Sequence, residues 1–340
     1  MVEQLIRNEQ VIGSNPMGGS KKKKEKKHMN KKIILLLFIT PALLFSQGTG
    51  TKEAFDFLRI DLGSRPLAMG GAFTSVISDL YGMKYNPASL VGVKNLTATC
   101  TYLNQIADIK TGFIGFNKNL KRNGHIGFSL SYINYGEMRK RDIAGNDLGS
   151  LYAGDVIISS TYAASYLTHL HYGVSLKYIN SQIDDYSASA LALDIGLLYT
   201  FPKQNLNIGL SVQNIGKSID SFNKSKEILP SLIRVGASQQ LAHLPLLISF
   251  NIYRFFYSES DIFLGLYWAL GGEFTITENF FFRWGYNSRG QEQKIGAANE
   301  TFTGVSLGLG IAYDKYRFDY GLSSFGSIGN LNSLTITAEL

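Results

Sequence analysis

Apolar residues alternate with small or polar ones along most of the sequence downstream of residue 95. In the stretch from Gly304 to Tyr313, GVSLGLGIAY, every second residue is apolar and the residues between are glycine, serine or alanine. A period of two places each set on its own face of a β-strand. Soluble sandwiches alternate apolar with charged residues. An apolar face opposite a small, uncharged face instead predicts a strand with lipid on one side and a lumen on the other.

The alternation is divided into fourteen strand-like runs. Most of them approach the roughly 9–11 residues that a tilted strand needs to cross a bilayer. All seven prolines fall outside the runs, as expected because proline cannot donate to a β-ladder. The predicted runs are 95–105, 110–117, 124–134, 154–166, 171–182, 188–200, 206–214, 231–240, 246–256, 266–276, 279–286, 304–313, 317–324 and 331–340.

The connections between these runs differ in length according to their position. Connections after even-numbered runs are short, whereas those after the third, seventh and eleventh runs are long, namely 135–153, 215–230 and 287–303. Short turns on one side and long loops on the other are typical of outer-membrane barrels, with the long loops extracellular. The sequence therefore predicts an all-β fold, a transmembrane antiparallel β-barrel of about 14 strands in the cell outer membrane.

The N-terminal part divides into three predicted segments. Residues 29–46 contain two lysines, an apolar stretch and a final Ser46, the order of a secretory signal peptide cleaved near that serine. Residues 1–28 read as a tag or upstream extension, and 47–94 precede the barrel, 95–340. Without residues 1–46 the net charge falls from +7 to +1, so no basic patch for nucleic acid remains. The single cysteine, Cys100, excludes an intrachain disulfide.

The stretch 67–90, LAMGGAFTSVISDLYGMKYNPASL, lacks the alternation of the strands that follow it. It is rich in small residues, and Pro87 disfavours a helical conformation at the preceding Asn86. A barrel of about 14 strands is too wide for its wall side chains to fill. The segment 47–94 is therefore predicted to be a plug in the lumen, packed against a glycine-rich wall.

Two motifs within this segment carry a family resemblance. They are Ser64-Arg65-x-x-x-Met69-Gly70-Gly71-Ala72 and Asn86-Pro87-Ala88, followed by GFSLSYINYGEMRKRDIAGNDLG downstream. With them the chain resembles the PorV/PorQ family of outer-membrane proteins, and its PorQ branch more closely, over 57–340. That family is similar to the FadL-type fatty-acid channels. The resemblance implies a barrel with an N-terminal plug that serves type IX protein secretion. The implied partners are secretion and attachment proteins, cargo C-terminal domains, and outer-membrane lipid and lipopolysaccharide.

Two functions of different classes follow. In the first, a secretion barrel binds partners through its long outer loops. The basic run Arg139, Lys140, Arg141 and Asp142 is a candidate contact there for lipopolysaccharide or an acidic partner, although a solvated loop is the preferred interpretation of this run. In the second, a FadL-like channel admits small hydrophobic compounds and is expected to have a kinked wall strand and an apolar pocket beside the plug. The predicted lumen faces carry glycine, serine, asparagine and alanine, which favours the first function.

No constellation for catalysis, a cofactor or a metal stands out in the sequence. His169 and His171 share a strand face but have no third ligand nearby, so a polar turn is the preferred interpretation. GLSSFG, residues 321–326, is not the nucleophile motif G-x-S-x-G. Asp184 and Asp185 read as a solvated acidic pair in a loop. The sequence therefore predicts a protein that is not an enzyme.

Overall fold

The computed structural model describes residues 55–94, 96–222, 228–256, 265–296 and 300–340. All of them belong to one compact unit, residues 48–340. The predicted extension 1–28, the predicted signal peptide 29–46 and the first residues of the predicted plug lie outside the described residues.

The wall is a closed antiparallel barrel of fourteen strands in sequence order. Each strand pairs with its neighbours in the chain, and β1 closes on β14 from Thr97 opposite Glu339 to Asn104 opposite Asn332. The predicted fold class is confirmed. The strands are β1 Leu96–Asn104, β2 Lys110–Asn119, β3 His125–Arg141, β4 Asp147–Leu167, β5 Leu170–Ile183, β6 Tyr186–Phe201, β7 Leu206–Asp220, β8 Leu232–Gln240, β9 Leu246–Phe255, β10 Leu266–Thr277, β11 Phe280–Asn287, β12 Val305–Tyr313, β13 Tyr316–Ser324 and β14 Asn330–Glu339.

The outer face of the wall is apolar, as the alternation predicted. Leu307 and Leu309 on β12 are each 44% exposed. Ser306, on the same strand, is only 2% exposed and faces inward. Aromatic side chains such as Tyr199 and Tyr313 lie near the short-turn end, also facing out. So much exposed apolar surface, arranged as a band, is stable in lipid rather than in water. Among the described residues, no helix has the length and apolar character needed to span a bilayer.

The segment 135–153, predicted as a loop, is mostly a strand hairpin, so that prediction is wrong. β3 and β4 continue to pair beyond the barrel rim, from Glu137 opposite Tyr152 to Arg141 opposite Asp147. β2 stops pairing with β3 at Asn134 and β5 stops pairing with β4 at Ala153, so the two strands extend together as a ribbon. Only the turn from Asp142 to Asn146 is a true loop. Backbone hydrogen bonds between β3 and β4 form this ribbon, although its sequence lacks the apolar alternation from which the other strands were predicted.

The predicted loop 215–230 is likewise partly a strand, because β7 continues to Asp220. The pairing of β6 with β7 slips by one residue between Leu193 and Ile195. At the slip Asn214 adopts a left-handed backbone conformation with φ of 57°, and its backbone N–H donates to the Asp194 carboxylate over 2.8 Å. β8 pairs with β7 only up to Leu232 opposite Gln213, so β7 extends past its neighbour.

Residues 55–94 lie inside the barrel and contain two short α-helices, α1 (Ser64–Ala68) and α2 (Gly82–Tyr85). Short 3₁₀ helices, Asp56–Arg59 and Pro87–Gly92, precede and follow them. The Arg59 carbonyl accepts a hydrogen bond from Arg289, which follows β11 at the long-loop end. Lys94 pairs with Glu339 at the short-turn end over 2.7 Å. The segment, called the plug below, therefore runs along the lumen from the long-loop end to the short-turn end.

Candidate functional site

The wall contacts the plug through glycines that face inward. A methyl group added to most of these glycines would lie within 3.0 Å of a plug atom, often a backbone atom, so only hydrogen allows the approach. Eight of these glycines form four cross-strand pairs. The pairs are Gly173 with Gly196, Gly209 with Gly236, Gly271 with Gly285, and Gly308 with Gly321. These residues are called the glycine girdle below.

The Met69-Gly70-Gly71 part of the first motif turns the plug against the girdle. Gly70 and Gly71 have φ of 63° and 75°, in the left-handed region that glycine adopts without strain. Their carbonyls accept hydrogen bonds from wall asparagine side chains, from Asn287 over 2.9 Å and Asn251 over 3.1 Å. Pairing these buried carbonyls avoids the cost of leaving them unsatisfied.

The Asn86-Pro87-Ala88 motif fixes the other side of the plug. The Asn86 side chain accepts from the Ala88 backbone N–H over 3.1 Å, which caps the 3₁₀ helix that Pro87 begins. The same side chain donates to the carbonyls of Thr74 and Leu197, 2.9 and 3.0 Å away. One buried amide thus links the start of a helix, another turn of the plug and strand β6.

Ser64 and Arg65 of the first motif are both buried at the wall. Ser64 shares hydrogen bonds with Ser333 and Thr335 on β14, with oxygens 2.9 and 2.8 Å apart. Arg65 binds both oxygens of Glu273 on β10, each over 2.7 Å, and lies 3.0 Å from Asp79. Every residue of the two predicted motifs therefore lies at the boundary between plug and wall.

Arg65 belongs to a closed ring of three arginines and three carboxylates. From the Arg65–Glu273 pair the ring continues through Arg283, 2.6 Å from Glu273, to Asp319, 2.8 Å from Arg283. It closes through Arg317, which lies 2.8 Å from both Asp319 and Asp79. The ring is electrically neutral. Two of its members belong to the plug and four to the wall strands β10, β11 and β13. It lies near the short-turn end, where β11 and β13 begin.

The sequence reasoning did not identify the four wall members of this ring. The sequence did contain a sign of them, because β10, β11 and β13 each carry a charged residue on the inward face, namely Glu273, Arg283 and Asp319. Arg317 lies two residues before Asp319 on β13. Ionisable residues inside a membrane protein face its interior and pair there. Their pairing with Arg65 and Asp79 depends on the three-dimensional fold, since Asp79 and Arg317 are 238 positions apart.

A cavity of about 180 Å³ lies beside the plug at the long-loop end. The polar side chains in its lining are those of Arg59, Asp61, Gln105, Asn287, Arg289, Gln293, Ser323 and Ser324. Most of the remaining surface is apolar, and it comes from the plug, from the β1–β2 and β13–β14 connections and from β14. These apolar residues are Ile60, Leu67, Ile106, Ile109, Phe325 and Leu331. This space is called the plug-side pocket below.

An apolar layer adjoins the plug-side pocket, contrary to the predicted lumen of small and polar side chains. Ile133, Ile157 and Ile179 face inward from β3, β4 and β5 and are at most 8% exposed. Phe55 and Leu58 of the plug pack against them, as do Ile60 and Ile109 of the pocket. The prediction failed because it was drawn from β6, β7 and β12, whereas the apolar layer belongs to β3–β5.

The predicted outer-loop residues lie away from this interior. Arg139, Lys140 and Arg141 end β3 on the exposed ribbon, and Asp142 begins its turn. Lys140 pairs with Asp184 over 2.6 Å. Asp142 accepts hydrogen bonds from the backbone and side chain of Asn146. The acidic pair at 184–185 is therefore partly engaged by the ribbon.

Of the two histidines predicted at a polar turn, only His169 lies in the turn, between β4 and β5, and His171 lies on β5. His171 shares a hydrogen bond with Ser165 over 2.8 Å, and the His169 carbonyl accepts from Thr200. Nowhere in the described parts of the chain do three or more histidine, cysteine, aspartate or glutamate side chains group as metal ligands would.

A plugged fourteen-strand barrel with an apolar exterior defines the structural class of the chain, and solved structures of this class align with most of it. These solved structures are fourteen-strand outer-membrane barrels of the FadL type, to which the PorV/PorQ family named in the sequence analysis is similar. The toluene transporter TodX of Pseudomonas putida is 10% identical with a TM-score of 0.57, covering 82% of this chain and 98% of its own. The CymD monoaromatic hydrocarbon channel is 13% identical with a TM-score of 0.55, covering 84% and 99%.

The toluene transporter TbuX of Ralstonia pickettii is 14% identical with a TM-score of 0.53, covering 81% of this chain and 96% of its own. At these identities the likeness establishes the fold. No protein-family model matches the chain. No curated protein matches it either.

Proposed function

We propose that the protein is an outer-membrane channel that takes small apolar compounds into the plug-side pocket. The pocket carries this proposal, because most of its surface is apolar, its volume suits a compact apolar molecule, and its polar side chains can orient the bound compound. Ile60 and Ile109 join it to the apolar layer on β3–β5, so apolar surface continues from the pocket to the inner face of these strands. Proteins of the same fold are described as transporters or channels of toluene and monoaromatic hydrocarbons.

Filling the pocket tests this function. Ile106→Trp places a larger ring in the pocket, and we expect uptake of labelled toluene by cells producing this variant to fall well below wild type. Ile328→Trp is the matched control, since Ile328 lies at the same end of the barrel, is 41% exposed and does not line the pocket. Equal uptake by the two variants, at equal amounts in the membrane, would contradict the proposal.

A second candidate function is the type IX secretion role that the sequence motifs imply. The projecting ribbon of β3 and β4 favours it, since a two-stranded hairpin beyond the barrel rim offers Arg139 and Arg141 to a secretion partner, cargo domain or lipopolysaccharide. Joining Asn134 to Gly154 through a two-residue turn removes the ribbon and leaves the barrel ladders intact except for the terminal pair of Ala153 with Ile183. Lost co-purification of secretion proteins with unchanged toluene uptake would favour secretion. The reverse result would favour the channel.

Location and processing belong to the same proposal. We expect the protein in the outer-membrane fraction, with a mature N-terminus following Ser46. Because closed ladders leave no edge from which to unfold, unheated samples should migrate differently from heated ones on semi-native gels. Mass spectrometry of the mature N-terminus checks the cleavage site, and recovery without detergent would contradict a membrane location.

A further inference from the structure

The six-charge ring divides into two parts that are each neutral and internally paired. Arg65 and Asp79, which both belong to the plug, lie 3.0 Å apart. The four wall members form a chain in which each charge contacts an opposite one. Only the contacts of Arg65 with Glu273 and of Asp79 with Arg317 join the two parts.

This division matters because an isolated buried charge is costly. Removing one partner of a buried pair leaves the other charge without compensation. When the plug and the wall separate at this ring, neither surface is left with a net charge, and every one of the six charges keeps a partner. The polypeptide itself does not hold the two parts together at the ring, since the two joining contacts connect residues 208 and 238 positions apart in the chain.

From this arrangement we infer that the two joining contacts are a latch that keeps the lumen closed at the short-turn end. Arg65 and Asp79 hold the plug at β10 and β13, and the wall chain of Glu273, Arg283, Asp319 and Arg317 is the preformed receiver. Elsewhere the plug is held mainly by single neutral hydrogen bonds, such as Asn251 to the Gly71 carbonyl. Charged, bidentate contacts are about twice as strong as neutral hydrogen bonds. The ring is therefore the firmest attachment of the plug.

Ion conductance in planar bilayers, measured with no organic compound present, tests the latch. Arg65→Met with Asp79→Asn removes both joining contacts and leaves the wall chain intact. We expect its open fraction to exceed that of the wild type about tenfold or more, since each lost contact is worth at least that factor. Lys177→Met with Asp194→Asn is the matched control. It removes a buried ion pair within the wall, 2.5 Å long, that includes no member of the ring, so its conductance should stay near wild type.

A disulfide shows whether plug movement causes the currents. The Ser64 and Ser333 oxygens are 2.9 Å apart, so cysteines at both positions, in a Cys100→Ser background, tie the plug to β14. Oxidation should abolish the currents of the Arg65→Met, Asp79→Asn variant, and reduction should restore them. If that variant does not assemble, Asp79→Asn alone provides the milder break. The latch proposal would be contradicted if the Arg65→Met, Asp79→Asn variant conducted no more than the wild type. It would also be contradicted if the currents of that variant persisted with the disulfide formed. Neither result bears on toluene uptake, which the pocket variants test separately.

Discussion

A methyl group on Gly285 of the wall would lie 2.2 Å from the backbone nitrogen of Gly70 in the plug. The plug backbone thus approaches β11 as closely as two chains can. We expect Gly285→Ala to displace the plug locally and to cost about 1–3 kcal/mol of stability, the usual cost of overpacking. Gly112→Ala is the control, because nothing lies within 4 Å of the added methyl group there. Protease sensitivity of the plug in detergent measures the effect, and equal sensitivity of the two variants would contradict it.

The outward face of β12 offers a test of the membrane arrangement. Leu309 lies in the middle of the strand and Tyr313 at its end, both facing out. Leu309→Arg should cost about 2–4 kcal/mol of folding free energy, whereas Tyr313→Arg should cost about 0–1 kcal/mol, because the penalty for arginine falls towards the interface. Urea titration of folding into lipid vesicles measures both. Equal costs would show that the bilayer is not centred near Leu309.

Lys84 of the plug predicts a dependence on pH. Burial lowers its pKa to about 7, since the attraction of Asp61 does not compensate for the lost water. In the unfolded chain the pKa of a lysine is about 10.4. Between about pH 7 and pH 10.4 the unfolded state therefore binds more protons than the folded state, so the free energy of unfolding rises with pH across that window. Lys84→Met should remove this rise. Melting temperatures of both proteins from pH 7 to pH 10 give the comparison, and parallel curves would contradict the shifted pKa.

The barrel wall should form without the plug. All fourteen strands obtain their backbone hydrogen bonds from neighbouring strands. Deleting residues 55–90 should therefore leave a protein that is still heat-modifiable on gels but conducts ions continuously. If the variant that lacks residues 55–90 assembles but does not conduct ions, the barrier to ions lies outside the plug.

The sequence predicted the strands well, because their alternation is a local property. Leu309 and Gly308 are assigned to opposite faces by nothing more than their neighbours in the chain. The turns were readable for the same reason, since Pro202 and Pro245 cannot join a ladder. The ribbon from Glu137 to Tyr152 escaped prediction, because its strands lack a regular alternation of apolar and polar residues.

The site was less predictable, because it depends on contacts between distant parts of the chain. The motifs at Ser64 and Asn86 marked the plug, and the structure places both at its boundary with the wall. Neither motif indicates that Arg65 meets Glu273, 208 positions away. The plug-side pocket was expected for a channel, but its position depends on how Ile60 and Ile109 meet in the folded lumen.

The contact between Ser64 and β14 has a consequence for the order of folding. Its hydrogen bond to Thr335 spans 271 positions, most of the chain. Contacts of such sequence separation form slowly, because the chain between them must first be brought together. The plug therefore cannot reach its final position until the last strand is synthesised and paired. Seating of the plug is a late kinetic step, and a chain truncated before β14 should expose the plug to proteolysis however well its earlier strands pair.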